Sequence, residues 1–272
     1  MIQLTNDTKI KNAINIVNDK SPSFSGITNQ ECKGNLWVDN IDMPRIAIAE
    51  SYAVGSFAFL GTLETSDDFM NLKEFLEGDL FVQLKNNGSD CFEFSIESES
   101  LRKNILEIFK DKSFQTEKEF SFRANAIPKI DYCIPNEYEI KKVDSDFWKL
   151  LLDGAYENED FIKVRLLESW HTFEDFMNKS IAYGITYGNR IVAVMIGTAS
   201  FNHIIAIDIE TEEEHRKKGL AYAMATEFVA DCLNNQYIPQ WDCVESNPVS
   251  YHMAKKLGFE LIKDNTVYWF DI

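Results

Sequence analysis

Three cationic residues, Arg216, Lys217 and Lys218, precede Gly219, which is followed by Leu220 and Ala221. The pattern is R-x-x-G-x-A. An apolar run at 203–209 before it reads as a strand, and the segment 220–232 after it has helical spacing. A helix start carries backbone N–H groups without intrahelical partners and a partial positive charge. A glycine there lets another group approach the backbone closely. Such a site suits a doubly charged phosphate group. The spacing is neither the Walker pattern G-x-x-x-x-G-K-[ST] nor the dinucleotide pattern G-x-G-x-x-G. On these six residues alone, a basic turn before an ordinary helix reads the same way.

A second constellation follows. Residues 238–245 read as a strand, Asn247-Pro248 opens a helix with Pro248 at its first position, and Gly258 ends it. Asn247, Ser250, Lys256, Gly258 and Phe259 stand in that order, the last three within K-x-G-F. Together the two segments resemble the GCN-related N-acetyltransferase (GNAT) superfamily, whose loop reads [RQ]-x-x-G-x-[GA] after a central strand. The resemblance covers 138–272. The first half is loosely similar to a bacterial subgroup with an extra N-terminal domain.

The resemblance implies an α/β (α+β) fold, with a mixed, mostly antiparallel sheet flanked by helices and a smaller N-terminal α/β domain. It implies an acetyl-CoA-dependent N-acetyltransferase that moves an acetyl group to a primary amine of a small molecule. A non-catalytic acyl-CoA sensor is the alternative. The backbone amides of Arg216, Lys217, Lys218, Gly219, Leu220 and Ala221 would bind the pyrophosphate of coenzyme A. The backbone of Ile207 and Ile209 would bond the pantetheine arm like an added strand, so the strands at 204–209 and 238–245 must part. Asn247 and Ser250 would touch that arm from the other side. Much of the rate would then come from positioning and from polarising the carbonyl.

The chemistry also needs a base for the ammonium proton and an acid for the leaving thiolate. Many relatives carry a tyrosine acid four residues before the K-x-G-F glycine, a position held here by Ala254. This departure motivates the sensor alternative. Ser250, Ala254 and Leu257 share one helix face, whereas Tyr251 and His252 lie about 100° and 200° round from Ser250. Ser250 is therefore the catalytic candidate on that helix, directly or through water. Glu210 and Glu168 are candidate bases, with Asp208 beside the first on the central strand. A solvated carboxylate, with water as the base, is the plainer reading of each.

The elements that must hold these residues follow from pattern. Residues 138–143 form a strand, and Asp144 or Ser145 caps a helix through Phe147 and Leu151. Two helical segments follow at 161–170 and 172–179. Strands at 180–187 and 190–199 form a hairpin about Gly188-Asn189, with 204–209 as the third strand. Thr211 and Glu214 have capping-box spacing for a helical turn before Arg216. Glu212, Glu213 and Glu214 must face solvent to spare the anion site. The helix at 220–232 buries Leu220, Met224, Phe228 and Cys232. Residues 259–263 and 266–270 read as a last hairpin about Asp264-Asn265.

In the first half, 9–17 reads as an amphipathic helix. Segments 35–39, 44–48, 56–60, 92–96 and 114–123 read as strands, and 67–76, ending near Gly78, and 101–109 as helices. This mixed order predicts an α/β domain at 1–125, a degenerate GNAT-like half that covers the acceptor pocket or forms a homodimer face. Pro128 and Pro135 lie in an aperiodic stretch, which places the boundary at 124–136 and the transferase domain at 137–272.

At 272 residues and 45% hydrophobic, the chain can pack a core and is not disordered. A net charge of −17 opposes nucleic-acid and anionic-membrane partners and suits a cationic amine, though solubility alone explains it. The positive charge at 216–218 is thus local. Five cysteines, an odd number without C-x-x-C spacing, fit reduced thiols in a cytoplasmic protein and give no metal site. The start lacks a signal-like apolar run, and no stretch is apolar enough to span a membrane.

Overall fold

A computed structural model describes residues 1–4, 10–129 and 132–272. The chain forms two compact units, Met1–Glu119 with Asp264–Ile272, and Phe120–Lys263. Among the described residues no helix is long and apolar enough to cross a membrane. All five cysteines are free thiols; Cys32, Cys232 and Cys243 are buried, Cys91 and Cys133 exposed.

The first unit opens with β1 (Ile2–Gln3) and α1 (Pro22–Thr28), followed by β2 (Gly34–Val38), β3 (Ile46–Ser51) and β4 (Ser56–Gly61). β2, β3 and β4 form an antiparallel meander. The helix expected at 9–17 is only a 3-10 turn at Ile14–Ile16, and Lys9 lies outside the described residues. The Asn12 side chain accepts from the Ile14 N–H, a local bond that competes with helix propagation. α2 (Ser66–Phe75) starts on a capping box between Thr65 and Asp68. Gly78 does not end this helical stretch. A π-type turn at Leu76–Leu80 carries it into α3 (Phe81–Asn86), and Leu76 and Leu80 stay buried. β5 (Cys91–Ile96) lies parallel to β4, and α4 (Glu99–Ile108) buries Leu101, Ile105 and Ile108. β6 (Gln115–Arg123) then leads out of the unit. Phe59, Phe92, Phe94, Phe109 and Phe270 form its aromatic centre.

The second unit contains β7 (Tyr138–Lys142), α5 (Ser145–Leu152), α6 (Asp160–Ser169), α7 (Phe173–Lys179), β8 (Ala182–Tyr187), β9 (Arg190–Phe201) and β10 (Ile204–Thr211). After these come α8 (Leu220–Asn234), β11 (Ile238–Val244) and α9 (Pro248–Lys256). β7, β8, β9 and β10 pair antiparallel in that order, and β11 joins β10 in parallel. A parallel step needs a crossover, which α8 supplies. Its stripe of Leu220, Met224, Phe228 and Cys232 is buried, and burial pushes the Cys232 thiol pKa up. β9 is apolar from Ile191 to Gly197, and all of it but Arg190 is buried, as a central strand requires.

The chain ends in β12 (Glu260–Asp271), a single strand where a hairpin about Asp264-Asn265 is expected. Its last residues belong to the first unit, where 267–271 pair antiparallel with β5. The turn signal loses because Asn265 is buried and its amide is engaged. Its Nδ2 donates to Glu97 Oε1 at 3.1 Å, and its Oδ1 accepts from Arg102 Nη2 at 3.4 Å. An asparagine used this way cannot turn back on its own backbone.

The ladder between β9 and β10 is broken at one point. Ala206 pairs with Ala199, but its neighbour Ile207 pairs with Gly197. β9 therefore inserts Thr198 as an extra residue, a β-bulge, which bends the ladder and raises its twist. Gly197 is hemmed in there. Its carbonyl accepts from Trp170 Nε1 at 2.9 Å and from Ser180 Oγ at 2.8 Å. A Cβ on Gly197 would stand 2.1 Å from Ser180 Oγ and 2.4 Å from Ile205 Cγ2. Gly197→Ala is expected to destabilise the second unit by about 1–3 kcal/mol, read as a lower urea midpoint. An unchanged midpoint would show that the bulge is not tightly packed.

Candidate functional site

β10 and β11 pair from Ile204↔Ile238 to Ile207↔Trp241, and there the ladder stops. Both strands continue. Residues 208–211 stay bonded to β9, so the opposite edge of β10 has no strand on it among the described residues. The parting expected for an added arm along β10 is thus present, but it begins at the bulge and leaves Ile207 still paired with Trp241. Ile207 is the last paired residue, so the open edge begins at Asp208.

A cleft of about 710 Å³ lies at this fork. Its walls include Ile209, Glu210 and Thr211 from β10, the loop residues His215, Arg216, Lys217 and Gly219, and Leu220, Ala221 and Tyr222 from α8. Asn247, Val249, Ser250 and Met253 of α9 close it. Lys217 and Gly219 both have positive φ, 63° and 80°, and this backbone reversal aims the start of α8 at the cleft. No side chain caps α8, so its first N–H groups remain available to an anion.

The loop's cations do not act as one group. Arg216 and Lys217 line the cleft, and Arg216 Nε donates to the Thr211 carbonyl at 2.9 Å. Lys218 does not line it. Its ammonium donates to Tyr138 Oη at 2.8 Å and stands over that ring. The same hydroxyl lies 2.9 Å from His215 Nδ1. Glu212 is held by Arg190 at 2.7 Å, and Glu213 and Glu214 are exposed. Glu213–His215 form the expected single turn, but Thr211 ends β10 and does not cap it.

The candidate acid and base residues separate clearly. Ser250 faces the cleft, and its Oγ accepts from Trp241 Nε1 at 2.8 Å. Asn247 also lines the cleft while capping α9 through the Ser250 N–H. Ala254 is fully buried. Tyr251 packs against Phe120 and Phe122, and neither it nor His252 lines the cleft. Glu210 lines the cleft but forms an ion pair with Arg165 of α6, which also holds Asp208 at 2.7 Å. Glu168 is exposed on α6 and does not line the cleft. Among the described residues no group of three His, Cys, Asp or Glu side chains could hold a metal ion.

Sequence pattern does not single out His215, Tyr222, Met253 or Trp241. Tyr222 stacks on Tyr132 with centroids 4.5 Å apart, and Lys256 Nζ lies 4.7 Å from the Tyr222 ring. The Lys256 ammonium is held above its usual pKa, chiefly by its hydrogen bond to Tyr132. The aromatic pair borders the glycine of the loop: a Cβ on Gly219 would stand 3.3 Å from Tyr132 Cδ1.

The model of the GNAT acetyltransferase family matches residues 17–268. The chain belongs to the GNAT acetyltransferase family. As a GNAT protein it is an acyltransferase, and acetyl transfer is its general activity. It is 25% identical to an uncharacterised N-acetyltransferase, YdfB, of Bacillus subtilis over 250 residues, 91% of this chain and 90% of that one. A GCN5-related N-acetyltransferase-like protein of Streptococcus suis shares the fold, with a TM-score of 0.58, 20% identity and coverage of 87% and 88%. A tandem GNAT protein from the clavulanic acid biosynthesis pathway shares it with a TM-score of 0.53, 9% identity and coverage of 91% and 86%.

The left-handed backbone at Gly219 gives a direct test. Gly219→Ala is expected to cost about 1–2 kcal/mol of stability, from the φ penalty and the contact with Tyr132. Urea unfolding measures it. No shift in midpoint would mean that the loop relaxes to an ordinary turn.

Proposed function

We propose that this GNAT acyltransferase moves the acetyl group of acetyl-CoA to a primary amine of a small molecule. The observation that carries the reading is the parting of β10 from β11 beside the uncapped start of α8. Bound acetyl-CoA supplies the activated acyl group; the chain supplies the grip. The N–H groups at 219–222 with Arg216 and Lys217 hold the pyrophosphate. The free edge at 208–211 offers main-chain donors and acceptors to the amide-bearing arm. Asn247 and Ser250 face it across the cleft.

The amine acceptor draws support from three sides. YdfB, the relative from Bacillus subtilis, carries the description N-acetyltransferase. The net charge of −17 attracts cations. Glu210 and Asp208 put two carboxylates against one Arg165 guanidinium at the fork, leaving an excess negative charge for an ammonium group. Glu210 is the base candidate that faces the cleft, with water as the carrier of the proton.

The first unit fits a degenerate GNAT-like half. It repeats an antiparallel meander followed by a parallel strand, β4 beside β5. Yet the Glu97 N–H donates to the Phe59 carbonyl at 2.9 Å, so β4 and β5 stay bonded past the end of β5. The helix after β4 is capped by its own Thr65 and Asp68, and Arg45 pairs with that carboxylate at 2.6 Å. An anion would find this helix start already occupied.

Calorimetric titration with acetyl-CoA tests the reading. Binding at micromolar levels is expected, weakened roughly tenfold by Lys217→Ala at low salt and less in 0.5 M salt, about the range where screening removes exposed charges. Thiol release with a panel of polyamines and amine-bearing antibiotics then reports turnover. Absence of heat at millimolar acetyl-CoA would overturn the proposal.

A further inference from the structure

Trp241 occupies a singular place. It is the last residue of β11 paired to β10, so its side chain leaves the sheet at the point of the fork. Its ring is buried and packs edge-on against Phe259, 5.6 Å between centroids. The packing leaves the indole little freedom, and its one polar atom, Nε1, donates to Ser250 Oγ at 2.8 Å. Trp is a donor only. The serine must therefore accept, and its own proton cannot be spent on Trp241. Ser250 makes no other side-chain hydrogen bond among the described residues, and it lines the cleft. One turn further along α9, where a hydroxyl would otherwise be sought, Ala254 is buried and inert.

We propose that Trp241 is a positioning residue that polarises Ser250 and aims its O–H into the cleft, where it donates a hydrogen bond to the departing sulfur while keeping its proton. The inference rests on the acetyl-CoA reading above. In the step, the amine lone pair forms the C–N bond and the C–S bond breaks with its electron pair passing to sulfur. The Ser250 O–H donates the hydrogen bond that receives this charge, and the proton shed by nitrogen passes to water. The products are an amide and coenzyme A thiolate. An indole N–H donating to Oγ makes the O–H a stronger donor, because successive hydrogen bonds polarise one another.

The experiment has a calorimetric arm, a spectroscopic arm and a kinetic arm. Coenzyme A binding to the wild type is first read by calorimetry. In 15N-labelled protein, Ser250→Ala is expected to move one of the five indole N–H signals and speed its exchange with water, while Ser250→Thr leaves it near its place. Trp241→Phe, which keeps an aromatic ring and loses the donor, and Ser250→Ala are each expected to lower kcat by roughly tenfold to a hundredfold. In Trp241→Phe coenzyme A affinity stays within about twofold, and thermal melts of both variants followed by ellipticity stay cooperative. The double variant is expected to be no slower than Ser250→Ala alone, since both changes remove one device. Multiplying losses, or a Trp241→Phe enzyme with normal kcat, would overturn the inference. So would an indole spectrum indifferent to Ser250→Ala, a result that needs no folded Trp241→Phe protein. Absence of coenzyme A binding would overturn the functional reading and this inference with it. Binding with independent losses would overturn this inference alone.

Discussion

The structure of the second unit depends on one extra residue in one strand. Thr198 in β9 throws the ladder out of step between Ala206 and Ile207, and β10 loses β11 directly afterwards. Backbone groups on a strand edge need partners, and an edge left open inside a folded unit invites an added chain. The bulge is itself secured from outside the two strands, by Trp170 and Ser180 bonding the Gly197 carbonyl. Helices α6 and α7, which lead into those two residues, are thereby tied to the cleft without lining it.

Electrostatics completes what the backbone begins. In a chain of net charge −17, a pyrophosphate needs a local region of positive potential. The αL residues Lys217 and Gly219 turn the backbone so that the α8 amides supply part of it. Arg216 and Lys217 add charge, while Lys218 is withdrawn into a bond with Tyr138 that braces the loop from behind. Arg165 holds Asp208 and Glu210 together on β10, so neither carboxylate is left without a cationic partner. On the reading proposed above, the acidic surface that would repel a polyanion hosts one at a single helix start.

Much of this was legible in the residues. The R-x-x-G-x-A loop, the Asn247-Pro248 cap of α9 and the Gly258 stop, which has φ 85°, are local signals with local causes. The bulge was not legible. Gly197 and Thr198 sit at the end of an apolar run, and what makes them a bulge is contact with residues far away in sequence. Tertiary partners overrode local chemistry elsewhere too. Asp264-Asn265 carries turn residues, yet Glu97 and Arg102 hold Asn265 in a continuous strand. Gly78 reads as a stop, yet a π-type turn with buried Leu76 and Leu80 carries the helix through it. Residue types alone offer three cations before Gly219, and Tyr138, which claims Lys218, cannot be anticipated from spacing.

On the proposed reading, an open strand edge and an uncapped helix start act as one receptor. Amide hydrogen exchange with and without coenzyme A tests it most directly, because it reads both backbone segments at once. Slower exchange is expected in 208–211 and 217–222 together, with the paired stretch 204–207 unaltered. Protection of neither segment at saturating coenzyme A, or protection confined to the first unit, would contradict the account.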